Sequence, residues 1–250
     1  MRFFYFGMAL LLSSTSLPIQ AQTFESQDKA VSLIELYTSE GCSSCPPAER
    51  WLSSLTDHND LWSRFVPVAF HVDYWDYIGW KDPYASKEYS QRQRRYAHEY
   101  KERTVYTPGM RKAGEEWRSW RFLGKPETTD KGDVGKISIT VNEDGSFRAK
   151  FVEKKTEAES KLSALQLNVA VLGVDLISEV TSGENHGKTL KHDFVVLGIS
   201  SYASSDSINW TGQLPEPSVD APRYAVAAWL TQGQSLEPIQ ATGGYLASSQ

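Results

Sequence analysis

Cysteine is nearly absent from this chain: two residues in 250, beside three methionines and five histidines. Two cysteines exclude a disulfide scaffold and a four-sulfur metal site. Basic charge is not in excess either. Lys and Arg total 26 against 31 Asp and Glu, a formal charge of −5, which gives no electrostatic basis for binding nucleic acid. Beyond the first dozen residues no stretch is long and apolar enough for a membrane helix. What the chain does have is 40% hydrophobic residues and eight tryptophans, ample for a packed core.

The N-terminus reads as an export signal spanning 1–21. Arg2 is a minimal positive region, Phe3 to Leu12 is an apolar run of ten, and small Ala21 stands at the expected cleavage point. The expectation is an exported chain, periplasmic or secreted, with no stable membrane insertion.

Both cysteines lie in "TSEGCSSCPPAE", residues 38–49. "VSLIELY" before them has the length and apolarity of a buried strand. Gly41 suits a tight turn, and Pro46 and Pro47 suit the first turn of a helix, where a missing N–H costs nothing. The pattern is strand, Cys-x-x-Cys turn, helix. A cysteine at a helix N-terminus is held toward the thiolate by the helix dipole and free backbone N–H groups. Cys42 is therefore the expected attacking sulfur, and Cys45, one turn on, the resolving one. A disulfide this short closes almost no loop, which disfavours a purely structural staple. A metal site remains open: Cys42 and Cys45 with His71, extended by Asp73, offer two soft sulfurs and an imidazole suited to copper or zinc.

Further along, "RFVPVAFHV" predicts a second buried strand, parallel to the first across the intervening helix. Residues 74–84 (YWDYIGWKDPY) form an aromatic loop. Tyr74 and Trp75 are candidate substrate contacts, and Asp73, Asp76 and Asp82 candidate turn-formers. Ser86 offers an N-cap for a helix reaching to about Glu102. "VYTP" marks a turn, and 115–123 a helix of weak pattern. A composition change at Lys125 predicts a domain boundary, dividing 22–124 from 125–250. Beyond it, "KISITV-NEDG-SFRAKFV" is a hairpin turning at Asp144-Gly145. Leu165 to Val180, Phe194 to Ser200 and Tyr224 to Gln232 are further strands, so this half is expected to be a mainly-β, sandwich-like subdomain. His186 and His192, in "GENHGKTLKH", show no ligand pattern.

"LIELYTSEGCSSCPPAE" resembles the first strand and active-site turn of thioredoxin-like proteins, and "VYTP" resembles their cis-proline loop. "ELYTSEGCSSCPPAE", "AFHVDYWDYIGWKDPYAS", "QRQRRYA", "VYTP" and "GENHGKTLKH" are similar to blocks of a family of exported thioredoxin-like proteins, the domain-of-unknown-function family numbered 1223. The resemblance implies an α/β thioredoxin-like domain, a mixed sheet flanked by helices, followed by the β-rich subdomain. It also implies roles: Cys42 nucleophile, Cys45 resolving thiol, Pro108 the cis-proline, Thr107 pairing with substrate backbone, and Glu35 the buried acid taking the Cys45 proton. Glu35 lies seven residues before Cys42 where relatives have six, which places its face in question. Met110-Arg111-Lys112-Ala113 is more polar than a central strand should be.

Together these readings point to a thiol–disulfide oxidoreductase. It would need no cofactor beyond the Cys42–Cys45 disulfide, would act on protein or peptide thiols and disulfides, and would be recycled by a redox partner. The alternatives are a copper- or zinc-delivery protein and a redox-inactive binding module.

Overall fold

The structure is a computed structural model that describes residues 21–123, 126, 132–154, 162, 164–203 and 208–247. Residues 1–20 of the expected export signal (1–21) and the expected junction at 124/125 lie outside the described residues.

In chain order the elements are β1 (Gln22–Glu25), β2 (Ser32–Thr38), α1 (Pro46–Ser53), β3 (Phe65–His71), a 3-10 turn (Asp73–Ile78), α2 (Lys87–Glu99), β4 (Gly109–Lys112), β5 (Glu115–Glu116) and α3 (Trp120–Leu123). They continue with β6 (Gly135–Val141), β7 (Ser146–Glu153), β8 (Leu165–Val174), β9 (Leu176–Glu179), β10 (Thr189–His192), β11 (Val195–Ala203), β12 (Asn209–Gln213), β13 (Arg223–Gln232) and β14 (Gln240–Tyr245). The eight-stranded sheet runs β14-β13-β8-β11-β3-β2-β4-β5; β1-β6-β7-β12 make a four-stranded sheet, and β10-β9 a separate pair.

This overturns the expected fold class. The protein is mostly β, not an α/β thioredoxin-like domain with flanking helices followed by a separate sandwich. The decisive contact is β11 against β3, parallel through Val195 and Ala69, which joins strands from both halves into one sheet. The physical reason lies in β8 and β13, which are buried almost end to end. Strands apolar on both faces must lie inside a sheet covered on both sides. One cover is the four-stranded sheet: Ile137, Ile139, Phe147 and Phe151 pack on Leu167, Val169, Val226, Ala228 and Leu230. Near the start of the described chain, β1 pairs antiparallel along β6, from Gln22 opposite Val141 to Glu25 opposite Ser138.

Strand alternation sorts the side chains of β2 onto two faces. Thr38 points to α1, where its hydroxyl donates to Glu49 Oε1. Tyr37 points to α2, against Tyr96, and stacks on Phe70 of β3. Glu35, two residues earlier, shares the Tyr37 face. There it accepts from Arg92 Nη2 at 2.6 Å and from the Tyr96 hydroxyl at 2.5 Å. The Arg92 guanidinium in turn lies 5.1 Å above the Phe70 ring and 5.5 Å from that of Trp229. The polar β4 is explained on the same face: Arg111 caps the Tyr96 ring at 4.3 Å and pairs with Glu102 at 2.5 Å. β4 is next to the sheet edge, with only the two-residue β5 beyond it.

Local signals hold elsewhere. Ser86 is the N-cap of α2 and accepts from the Glu88 N–H. The β6–β7 turn has Gly145 at φ +76°, a backbone region costly for other residues. Of the expected helix at 115–123 only α3 forms.

Removing one partner of a buried ion pair leaves the other charge desolvated and uncompensated. Glu35→Gln and Arg92→Met are each expected to lower unfolding free energy by about 3–5 kcal/mol. The double variant Glu35→Leu/Arg92→Leu should lose less than the two single losses combined. Urea unfolding followed by circular dichroism reads this out, and single losses under 1 kcal/mol would sink it.

Candidate functional site

Cys42 and Cys45 are joined as a disulfide with Cα atoms 5.4 Å apart. β2 delivers the chain to the turn, and Cys45 is the N-cap of α1, its carbonyl accepting from the Ala48 and Glu49 N–H groups at 2.9 and 3.2 Å. Pro46 and Pro47 begin the helix. The Cys42 sulfur lies 3.3 Å from Ser44 Oγ. Gly41 is required for a close approach: a Cβ there would lie 2.9 Å from Trp75 Cβ. Trp75 then reaches the other way, its indole N–H donating to Thr107 Oγ1 at 2.7 Å. The Thr107–Pro108 peptide is cis. The aromatic loop thus ties the disulfide turn to the proline loop.

The disulfide is covered. Cys42 is 1% exposed and Cys45 fully buried, while Ser43 and Ser44 between them are exposed. Part of the cover comes from 182–187, a segment in which the sequence showed no ligand pattern. Asn185 Nδ2 donates to the carbonyls of Glu40 (2.7 Å) and Cys42 (3.0 Å). Glu184 accepts from the Ser43 N–H at 3.0 Å.

Behind the turn, on the α1 face, lies a buried polar cluster that sequence reasoning did not assemble. His71 ends β3, its Nδ1 2.8 Å from Asp82 Oδ2. Asp82 also accepts from the N–H groups of Glu40 (2.8 Å) and Tyr84 (2.9 Å). His192 ends β10, its Nε2 2.9 Å from Glu40 Oε1. Its Nδ1 is 2.9 Å from Glu49 Oε2, within ion-pair range but misaligned for a hydrogen bond. Trp80 donates to the other Glu40 oxygen at 2.7 Å. The ring of Tyr84 completes the packing, 5.3 Å from His71 and 5.4 Å from His192.

Burial disfavours charge on His192, but the adjacent Glu49 and Glu40 carboxylates outweigh it and raise its pKa to about 10. Burial likewise pushes against the Glu49 and Asp82 carboxylates. The facing imidazoles, His192 for Glu49 and His71 for Asp82, reverse the balance and lower both pKa values.

The other expected site residues are placed as follows. Glu35 is on the opposite face from α1, with both oxygens taken by Arg92 and Tyr96, so it does not meet Cys45. Tyr74 donates to Gln93, and Asp73 is bonded to Ser90 rather than to the sulfurs. The donor set Cys42, Cys45, His71 and Asp73 is not brought together. Among the described residues His71 groups instead with Glu49 and His192. A cleft of about 700 Å³ lined by Gln91, Arg94, Arg95, His98 and Glu99 shares no residue with the cluster.

Residues 33–231 match a family described as "Protein of unknown function (DUF1223)". The chain belongs to the DUF1223 family. No curated protein matches it. Protein AGR_C_4864 from Agrobacterium tumefaciens, known from a crystal structure, is similar at 23% identity. That match covers 87% of this chain and 95% of that one with a TM-score of 0.61. HBP35 of Porphyromonas gingivalis is similar at 14% identity, covering 87% and 76% with a TM-score of 0.52. At these identities the likeness is one of fold.

Asn185 anchors the cover through two hydrogen bonds of about 1 kcal/mol each. Asn185→Ala is therefore expected to speed reduction of the disulfide by dithiothreitol by roughly 10- to 30-fold. Stopped alkylation and mass spectrometry measure the rate. An unchanged rate would show that this turn does not gate the sulfurs.

Proposed function

We propose that the chain is a thiol–disulfide oxidoreductase acting through Cys42 and Cys45. The observation that carries this reading is the disulfide in the turn that opens α1, with the Thr107–Pro108 loop tied to the same turn through Trp75. In the reduced chain the N–H groups opening α1 stabilise a Cys42 thiolate. That thiolate attacks a substrate disulfide, forming a mixed disulfide and releasing one substrate thiolate. Cys45 then attacks the Cys42 sulfur, restoring the internal disulfide and releasing the second substrate thiol. Two electrons pass from the cysteines to the substrate, and oxidation of a substrate dithiol runs the same steps backwards. The sulfurs carry the electrons, so no organic cofactor enters.

The substrates in this reading are protein or peptide thiols and disulfides, reached at the exposed Ser43-Ser44 edge once the 182–187 turn lifts. An exported location, following the apolar N-terminal run, would hold the resting pair oxidised and require a partner to reset it. In this reading Thr107 and Pro108 would meet the substrate backbone, with Tyr74 and Trp75 as adjoining aromatic contacts.

The test is equilibration of the purified protein in glutathione buffers containing chelator, with thiol state read by alkylation. One two-electron couple is expected, with a potential of roughly −120 to −270 mV. Cys45→Ser should accumulate a mixed disulfide on Cys42. A pair that stays oxidised far below that range would make the bond structural and end the proposal.

A further inference from the structure

The α1-face cluster has an arrangement that thiol exchange does not use. Glu49, His71 and His192 each offer a ligand atom within 4.8 Å of the other two, and all three residues are buried. His71 is fully buried, and its Nε2 has no hydrogen-bond partner among the described residues. A buried ring nitrogen without a partner is costly unless something occupies its lone-pair direction.

The outer atoms of the same three side chains are all engaged. His71 Nδ1 faces Asp82 Oδ2 at 2.8 Å, His192 Nε2 faces Glu40 Oε1 at 2.9 Å, and Glu49 Oε1 accepts from Thr38. Metal-binding histidines characteristically give their second nitrogen to a carboxylate, which fixes the ring and strengthens the ligand. Here both do. Five buried titratable side chains meet here, three carboxylates and two imidazoles.

We propose that Glu49, His71 and His192 form a binding site for a divalent transition-metal ion, best suited to Zn²⁺. The ligands are Glu49 Oε2, His71 Nε2 and His192 Nδ1, with Asp82, Glu40 and Thr38 as their supports. Two imidazoles and one carboxylate are a donor set zinc accepts, with a fourth position left for water or another group. The three ligand atoms lie within 4.8 Å of one another, and His192 Nδ1 is already 2.9 Å from Glu49 Oε2. Donors bonded tetrahedrally at 2.0–2.1 Å stand about 3.3 Å apart, so binding requires local adjustment of these side chains. On binding, the His192 Nδ1 proton leaves to solvent. The sulfurs take no part, since they are bonded to each other, and the site does not depend on the thiol reading. Its position does bear on the thiols: Glu49 lies one helical turn beyond Cys45, so an ion there would pin the start of α1 to β10.

Calorimetric titration of the apo protein, prepared with chelator and kept oxidised, with Zn²⁺ alone tests this. One ion per chain is expected. His71→Ala and His192→Ala should each weaken binding at least 100-fold, and Asp82→Asn by about 10- to 100-fold through the lost support. Cys42→Ser/Cys45→Ser should leave affinity unchanged. Co²⁺ titration of the wild-type chain gives a readout that needs no variant to fold. Visible d–d bands without sulfur-to-metal charge transfer are expected. Absence of stoichiometric uptake, charge-transfer bands from sulfur, or loss of binding only in the cysteine variant would each overturn the proposal.

Discussion

His192 stands buried between two carboxylates, Glu40 from the cysteine turn and Glu49 from α1. Much of the molecule's arrangement follows from that contact. Neither carboxylate could stay ionised at that depth without a cationic or hydrogen-bonding partner, and the imidazole could not stay charged without them. The three groups are tolerable only together. Because His192 arrives on β10, the contact brings the C-terminal half of the chain onto the turn that holds both sulfurs. Asn185 and Glu184, in the loop just before β10, then fall where they cover that turn.

The two faces of β2 divide the polar interior into separate compartments. On one, Glu35, Arg92, Tyr96 and Arg111 form a closed set, ion-paired and stacked against aromatic rings. On the other, His71, Glu49 and His192 converge, with His192 Nδ1 2.9 Å from Glu49 Oε2 and His71 Nε2 without a hydrogen-bond partner among the described residues. The first compartment is complete in itself and reads as structure. The second keeps one buried ring nitrogen without a partner.

Features set by neighbours in sequence were legible. The turn at Cys42, the Ser86 cap and the Asp144-Gly145 hairpin each follow from a few adjacent residues. The face of Glu35 was only put in question by its seven-residue spacing from Cys42; the alternation along β2 is what turns it toward Arg92 and Tyr96. The shared sheet was not legible, because an apolar run such as β11 names no partner, and its docking on β3 is decided by packing across more than a hundred residues. β1 escaped notice because four alternating half-exposed residues carry little signal. The buried cluster was hidden for the same reason as the sheet: Glu40 and Asp82 read as turn residues, and nothing near His192 points to positions 152 residues earlier.

The disulfide joins residues three apart, so its geometry is available as soon as the first strand and helix exist. Its cover is contributed by residues 141 to 143 positions downstream. On an emerging chain the sulfurs therefore exist for a long stretch of synthesis before anything can shield them. The order of the polypeptide gives an oxidant its opportunity early and withdraws it late. The state of the pair at the moment the 182–187 turn closes is the state the finished molecule inherits.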